Sequence, residues 1–296
     1  MKLSTVILPC ARWRDAKAAW VRAEALGLHA AYTYDHLSWR SFREKTWFTM
    51  VPTLAAAAEA TTSIRLGPLV TSPNFRHPLV LAKDLLALDD ISNGRVIVGV
   101  GSGGTGFDAS TLGHEPWNAG ERHRRFVEFT RALDVLLRET TSTLEGIYYP
   151  VVDSRQWPGP VQLPRPPIFV SALGPQSMAL AAEMADGWVV ITHPATERAG
   201  STRDEMVRQV AAIDEALDQR GRDPRSLERV LLHFDGDERP LASLESFVDW
   251  AGRYHELGFT EVVVHWPVAD SPFDCDVATF EEIATSGREA VADFDD

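Results

Sequence analysis

Cysteine is scarce: Cys10 and Cys275 are the only two in 296 residues. Thiols so far apart suggest no disulfide framework and no cysteine metal cluster. Histidines at metal-ligand spacing are missing too, so no metal is expected. A reducing, cytoplasmic setting is the simplest expectation. Positive charge is also short, with 29 Lys and Arg against 42 Asp and Glu and a formal net charge of -13. Such a chain suits neither nucleic acid nor an anionic membrane surface. No apolar run approaches the ~20 residues that span a bilayer. The opening Met1-Lys2-Leu3-Ser4-Thr5-Val6-Ile7-Leu8 lacks a signal-type apolar core and cleavage site. A small molecule is the remaining expected partner.

What the chain does have is a strand that runs into glycine. Asn93-Gly94 makes a turn, Val96 to Val100 is apolar, and Gly101-Ser102-Gly103-Gly104-Thr105-Gly106 follows. A short apolar run between turn signals reads as a strand buried on both faces. Glycines past its C-terminal end let backbone approach a ligand, because no Cβ intervenes. Gly99, Gly101 and Gly104 fit the G-x-G-x-x-G string, but the first two fall inside the strand and the acidic ribose partner about 20 residues on lacks support. One wall of an active site is therefore placed at Gly101 to Gly106, without a dinucleotide.

Strand and helix patterns alternate around this stretch. Strands are read at Leu3–Leu8, Ala30–Tyr34, Ile64–Val70, Val96–Val100, Ile168–Ser171, Trp188–Ile191, Arg229–Phe234 and Glu261–His265. Helices are read at Asp15–Leu26, Trp47–Ala60, Pro78–Ile91, Glu121–Arg138, Ser177–Ala185, Asp204–Arg220 and Leu244–Leu257, with a final one over Phe280–Val291. Asp89-Asp90 reads as the solvated end of its helix. The pattern breaks over residues 140–166, where Leu144 to Tyr149 looks like a hairpin fragment before a proline-rich passage. So long a connection suggests an insertion or lid near a site. About eight strand–helix units make a (β/α)₈ TIM barrel as one domain over residues 1–296. An open doubly wound sheet is the alternative, since periodicity does not give strand order.

In a barrel the chemistry lies beyond the C-terminal ends of the strands. His36 there is well matched to proton transfer near neutral pH, and Asp35 beside it is a candidate to fix its tautomer or bind a ligand. Trp39, Trp47, Trp117 and Trp266 are candidates to line a pocket for a flat ring. Arg40, Phe75 and His193 stand at strand ends beside them and complete the expected substrate pocket. Gly174-Pro175-Gln176-Ser177 opens a helix straight after Ala172 and Leu173. Its free N–H groups suit a phosphate, although an ordinary capped helix start explains the same residues.

Together these pieces resemble the luciferase-like flavin and deazaflavin oxidoreductase family. The matching stretches are Tyr34-Asp35-His36-Leu37, Ile64 through Pro78, Ile91 through Gly106, and Ala185-Asp186-Gly187-Trp188. The order and spacing match along most of residues 1–200, and the last third matches in architecture alone. The resemblance implies a (β/α)₈ barrel with an insertion, and a homodimer. It implies coenzyme F420 as cofactor, with FMN as the alternative. Carried over, Asp35 contacts the ring system and His36 stands beside the reacting carbon as acid or base. Leu69, Val70 and Thr71 bulge against a ring face, often with a non-proline cis peptide. Ser72, Gly103, Gly174 and Ser177 hold the ribityl and phosphate parts, with Gly104, Ala172 and Leu173 beside them.

One departure stands out. Some similar deazaflavin dehydrogenases carry a glutamate where this chain has Gly104, and nothing in the sequence replaces it unambiguously. The expected activity is F420-dependent hydride transfer to or from a small organic substrate, an aromatic one among the options, with His36 as acid or base. The alternatives are an FMN-dependent monooxygenase using O₂, a non-catalytic cofactor-binding protein, and a flavin-independent barrel enzyme.

Overall fold

The computed structural model describes residues 1–192, 201–234 and 236–295. Strands and helices alternate as the sequence predicts: β1 (Lys2–Val6), α1 (Trp13–Ala25), β2 (Ala30–Thr33), α2 (Met50–Ala60), β3 (Arg65–Pro68), α3 (Pro78–Ile91), β4 (Val98–Val100) and α4 (Ala119–Arg138). An antiparallel pair, β5 (Thr141–Leu144) and β6 (Val151–Arg155), interrupts them. Alternation resumes with β7 (Ile168–Ser171), α5 (Pro175–Met184), β8 (Gly187–Ile191), α6 (Thr202–Asp218), β9 (Glu228–Leu232), α7 (Leu244–His255) and β10 (Glu261–His265). The expected final helix starts earlier, as α8 (Val277–Glu282), and passes through a π turn at Ile283–Gly287 into α9 (Arg288–Ala292).

Eight parallel strands pair in the order β3-β2-β1-β10-β9-β8-β7-β4. The two ends of that row meet through parallel bridges, Leu66 to Val96 and Thr71 to Val100, so the sheet closes into a barrel. The open-sheet alternative is excluded. Closure at this seam depends on Gly67, because a Cβ there would run into the Ile97 carbonyl. Backbone that close cannot yield cheaply, so only glycine fits.

Each barrel strand is buried on both faces. Ala30, Tyr32, Phe169, Val189, Val230 and Val263 point inward and fill the barrel. Leu3, Ala31, Val98, Val170, Val190 and Val262 point outward into the layer beneath the helices. Among the polar groups inside is Glu261, fully buried and accepting the Tyr32 hydroxyl at 3.0 Å. Burial pushes its carboxyl pKa up to about 7.

The segment 140–166 is not a lid. Leu144 to Tyr149 hold the end of β5 and the turn of a longer hairpin. That turn is clamped to α4 by Glu128, which accepts Tyr148 N at 2.8 Å and Tyr149 N at 2.6 Å. The passage after it runs beneath the barrel, at the N-terminal ends of the strands. Gln162 Nε2 donates to Val96 O at 2.8 Å, and Arg165 pairs with Asp134 and Asp186 at 2.5 Å each. Asp89 is correspondingly not a solvated helix end. It is buried and accepts Val161 N, Gln162 N and Gln162 Nε2 at 2.7, 3.0 and 2.8 Å.

Candidate active site

The C-terminal mouth of the barrel holds a cavity of about 490 Å³, within the range usual for small-molecule sites. Most of the expected residues meet there. His36, Trp39 and Arg40 come from the loop after β2, and Leu69, Val70 and Ser72 from the loop after β3. Gly103 and Gly104 follow β4, while Leu173, Gly174 and Ser177 follow β7. The peptide bond between Leu69 and Val70 is cis, as the resemblance implies.

The residues that do the fixing differ from expectation. Asp35 does not face the cavity. It is 1% exposed and sits beneath the mouth, bound to Arg76 Nη2 at 2.6 Å, Arg76 Nε at 3.0 Å and Thr71 Oγ1 at 2.7 Å. The ion pair consumes its charge, so Asp35 and Thr71 brace the loops instead of touching a ligand. The group that holds His36 is Asp108, 72 residues along the chain. Its Oδ2 takes the imidazole Nδ1 in a short contact, while its Oδ1 accepts Leu37 N at 2.7 Å. A carboxylate only accepts, so Nδ1 carries the proton and Nε2 is left for the cavity. Asp108 thus brings a carboxylate to His36 from four residues beyond Gly104. Its place at the end of the glycine run was visible, but its pairing across two loops was not.

The aromatic wall is built in two layers. Trp39 lines the cavity and stacks on Trp47 and on Phe273, each with ring centroids 5.9 Å apart. Trp47 stands behind it and donates its indole N–H to His36 O at 2.8 Å. Tyr34 and Phe234 complete the wall, and neither was singled out from the sequence. The Tyr34 hydroxyl meets His265 Nε2 at 2.7 Å. Burial, with His233 nearby, lowers the His265 pKa to about 3, so its ring is neutral and accepts from the phenol.

Several expected site residues lie elsewhere. Trp266 points outward and packs on Phe280 of α8, with centroids 5.0 Å apart. Trp117 lies against Arg125 of α4, 4.1 Å from the guanidinium carbon. Phe75 packs under Arg76 at 5.0 Å. Ala172 is buried in the layer beneath the helices. None of these lines the cavity, and His193 falls outside the described residues. Ser177 does line it, yet its hydroxyl donates to Gly174 O at 3.0 Å and receives Gly174 N at 3.3 Å, the ordinary capped start.

Two features welcome a polar ring system. Asn74 Nδ2 donates to Gly104 O at 3.1 Å, which leaves Asn74 Oδ1 buried with no hydrogen-bond partner. Gly103 has φ 69°, and a Cβ there would lie 2.6 Å from Asn74 Oδ1, so glycine keeps this cradle open. Among the described residues no group of His, Cys, Asp and Glu could hold a metal ion, and no helix is long and apolar enough to cross a membrane.

Known proteins share this architecture. The F420-dependent glucose-6-phosphate dehydrogenase of Amycolatopsis mediterranei is 29% identical over 278 residues, covering 88% of this chain and 82% of that protein. The F420-dependent hydroxymycolic acid dehydrogenase of Mycobacterium tuberculosis is 31% identical over 227 residues, covering 74% and 59%. The F420-dependent tetrahydromethanopterin reductase of Methanopyrus kandleri superposes with a TM-score of 0.77 over 96% of this chain and 97% of that one; at 20% identity this likeness speaks for the fold alone. The model of the luciferase-like monooxygenase family matches residues 1–259, and the chain belongs to that family.

Proposed function

We propose that the protein is an F420-dependent oxidoreductase, one barrel domain over residues 1–296, acting on a small organic substrate with His36 as its acid or base. The observation that carries this reading is the Asp108–His36 pair opening onto the mouth cavity. The F420-dependent relatives above support the choice of cofactor. When bound, F420 supplies the ring that takes up or gives up a hydride. Leu69, Val70, Ser72, Asn74, Gly103, Gly174 and Ser177, which line the cavity, would hold it. The unpartnered Asn74 Oδ1 suits a ring or ribityl donor, and the cradle at Gly103 gives backbone access.

The chain's own residues then divide the work. Asp108 fixes the imidazole so that Nε2 points its lone pair at the reacting group. In the oxidising direction Nε2 takes the hydroxyl proton of an alcohol. In the reducing direction the imidazolium returns a proton to the carbonyl oxygen. Trp39, Tyr34 and Phe234 exclude water and orient the substrate. The enzyme works in the cytoplasm, a reading supported by two free and distant cysteines, and not on nucleic acid, a reading supported by its charge of -13. It works as a homodimer, supported by the apolar Ile147, Val152 and Leu163, each more than four-fifths exposed.

The test is titration of purified protein with F420 and with FMN, while oxygen consumption is followed. Saturable F420 binding without oxygen uptake supports the proposal. FMN binding with substrate-dependent oxygen uptake overturns it in favour of a monooxygenase.

A further inference from the structure

Arg40 stands out among the groups at the mouth. It lines the cavity, is exposed, and has φ 39°, a conformation uncommon for any residue but glycine. Backbone held in such a region is found where a site needs a side chain aimed. The guanidinium carbon sits 4.7 Å from the Phe234 ring centroid and 5.4 Å from that of Trp39. Two aromatic rings of the cavity wall therefore flank the guanidinium. No carboxylate among the described residues forms an ion pair with it. Two other titratable groups of the wall, His36 and Asp108, are bound to each other. Arg40 is thus the cation lining the cavity that has no carboxylate partner among the described residues, in a chain of net charge -13.

We infer that Arg40 receives a carboxylate carried by the substrate, whose apolar body lies along Trp39 and Phe234. This assignment rests on the proposed function for the reaction, though not for the site. A planar fork with parallel N–H donors matches a carboxylate bidentately. One cation balances one carboxylate, whereas a phosphate dianion asks for more positive charge than these walls supply. Ring stacking also lowers the entropy lost when the fork engages.

Calorimetric titration of the F420-loaded protein with benzoate, benzamide and phenyl phosphate tests it, in the wild type, Arg40→Gln and Arg40→Lys. Benzoate is expected to bind the wild type more tightly than benzamide. Arg40→Gln should weaken benzoate by about tenfold or more, the scale of a hydrogen bond to a charged group, and leave benzamide and F420 unchanged. Arg40→Lys should fall between, keeping charge without the fork. Equal binding of benzoate and benzamide, no saturable benzoate binding, or an unchanged Arg40→Gln overturns the inference. Phenyl phosphate bound much more tightly than benzoate overturns it in favour of a phosphate. Loss of F420 binding in Arg40→Gln overturns it by assigning the guanidinium to the cofactor. If F420 never binds but benzoate binds the cofactor-free protein through Arg40, the proposed function fails and the carboxylate site stands.

Discussion

Asp108→Asn changes one atom of the pair that carries the proposed chemistry. The amide is the same size, and its oxygen can keep the bond that Asp108 Oδ1 accepts from Leu37 N at 2.7 Å. The loop should therefore stay in place. What changes is the group facing His36 Nδ1, where an acceptor becomes an N–H donor. Two donors cannot face each other, so the imidazole must turn to its other tautomer and carry its proton on Nε2. That nitrogen can then no longer take a proton from substrate. The lost interaction is a hydrogen bond to a charged group, worth about 1.5–3 kcal/mol. If it is felt wholly in the transition state, turnover falls roughly 10- to 150-fold, at about 1.4 kcal/mol per decade. Pre-steady-state turnover of bound F420 with substrate measures the drop, and fluorescence titration measures cofactor affinity. Affinity should move by less than about threefold, since Asp108 acts on the imidazole. Turnover within about twofold of wild type, with a folded protein, refutes the role given to Asp108.

His36→Ala should lower turnover at least about a hundredfold, the usual scale of general acid–base catalysis, with cofactor affinity nearly unchanged; near-normal turnover in a steady-state assay contradicts its role. Glu261→Gln should stabilise the protein in alkali. Burial holds the Glu261 carboxyl pKa up at about 7 in the fold against an ordinary value of 4.5, so the folded state keeps its proton to higher pH. The penalty is absent below the lower value and complete above the higher one, where it reaches about 3 kcal/mol as an upper figure. The amide should thus raise the melting temperature near pH 8 and change it little near pH 4, and an equal gain at both breaks the argument. Gly67→Ala should cost on the order of 4 kcal/mol, the scale reserved for severe core damage, because its methyl meets the Ile97 carbonyl at the barrel seam. A denaturant midpoint like that of wild type would show that the seam can open at no cost.

Much of the fold was legible because a parallel barrel writes a simple pattern. Val96 to Val100 and Glu261 to His265 are short apolar runs between turns, and both became inner strands. His36 was legible as well, as an imidazole just past a strand end. Three site errors share one physical cause, neglect of the two-residue alternation beyond the strand end. Ala30, Tyr32 and Tyr34 face inward, so His36 does too and Asp35 between them must face out. Phe169 faces inward and Val170 outward, which puts Ala172 in the outer layer and Leu173 in the cavity. His265 meets Tyr34 inside, so the next residue, Trp266, packs outside on Phe280. Extending the alternation would have caught all three from sequence. Other features were out of reach. Asp108 meets His36 through the way two irregular loops fold back. The 140–166 segment reads as an insertion or a lid, and it is an insertion; length alone says nothing about which end of the barrel it covers. Its position follows from Asp89 and Arg165, whose bonds form only once the chain is folded.

The most direct test of the central claim is a crystal structure of the protein with oxidised F420 bound. The account predicts the cofactor in the mouth cavity, with a donor on Asn74 Oδ1, Val70 against its ring and His36 Nε2 facing the open space left for substrate. F420 seated anywhere else, or an imidazole released from Asp108 and turned out of the cavity, contradicts it.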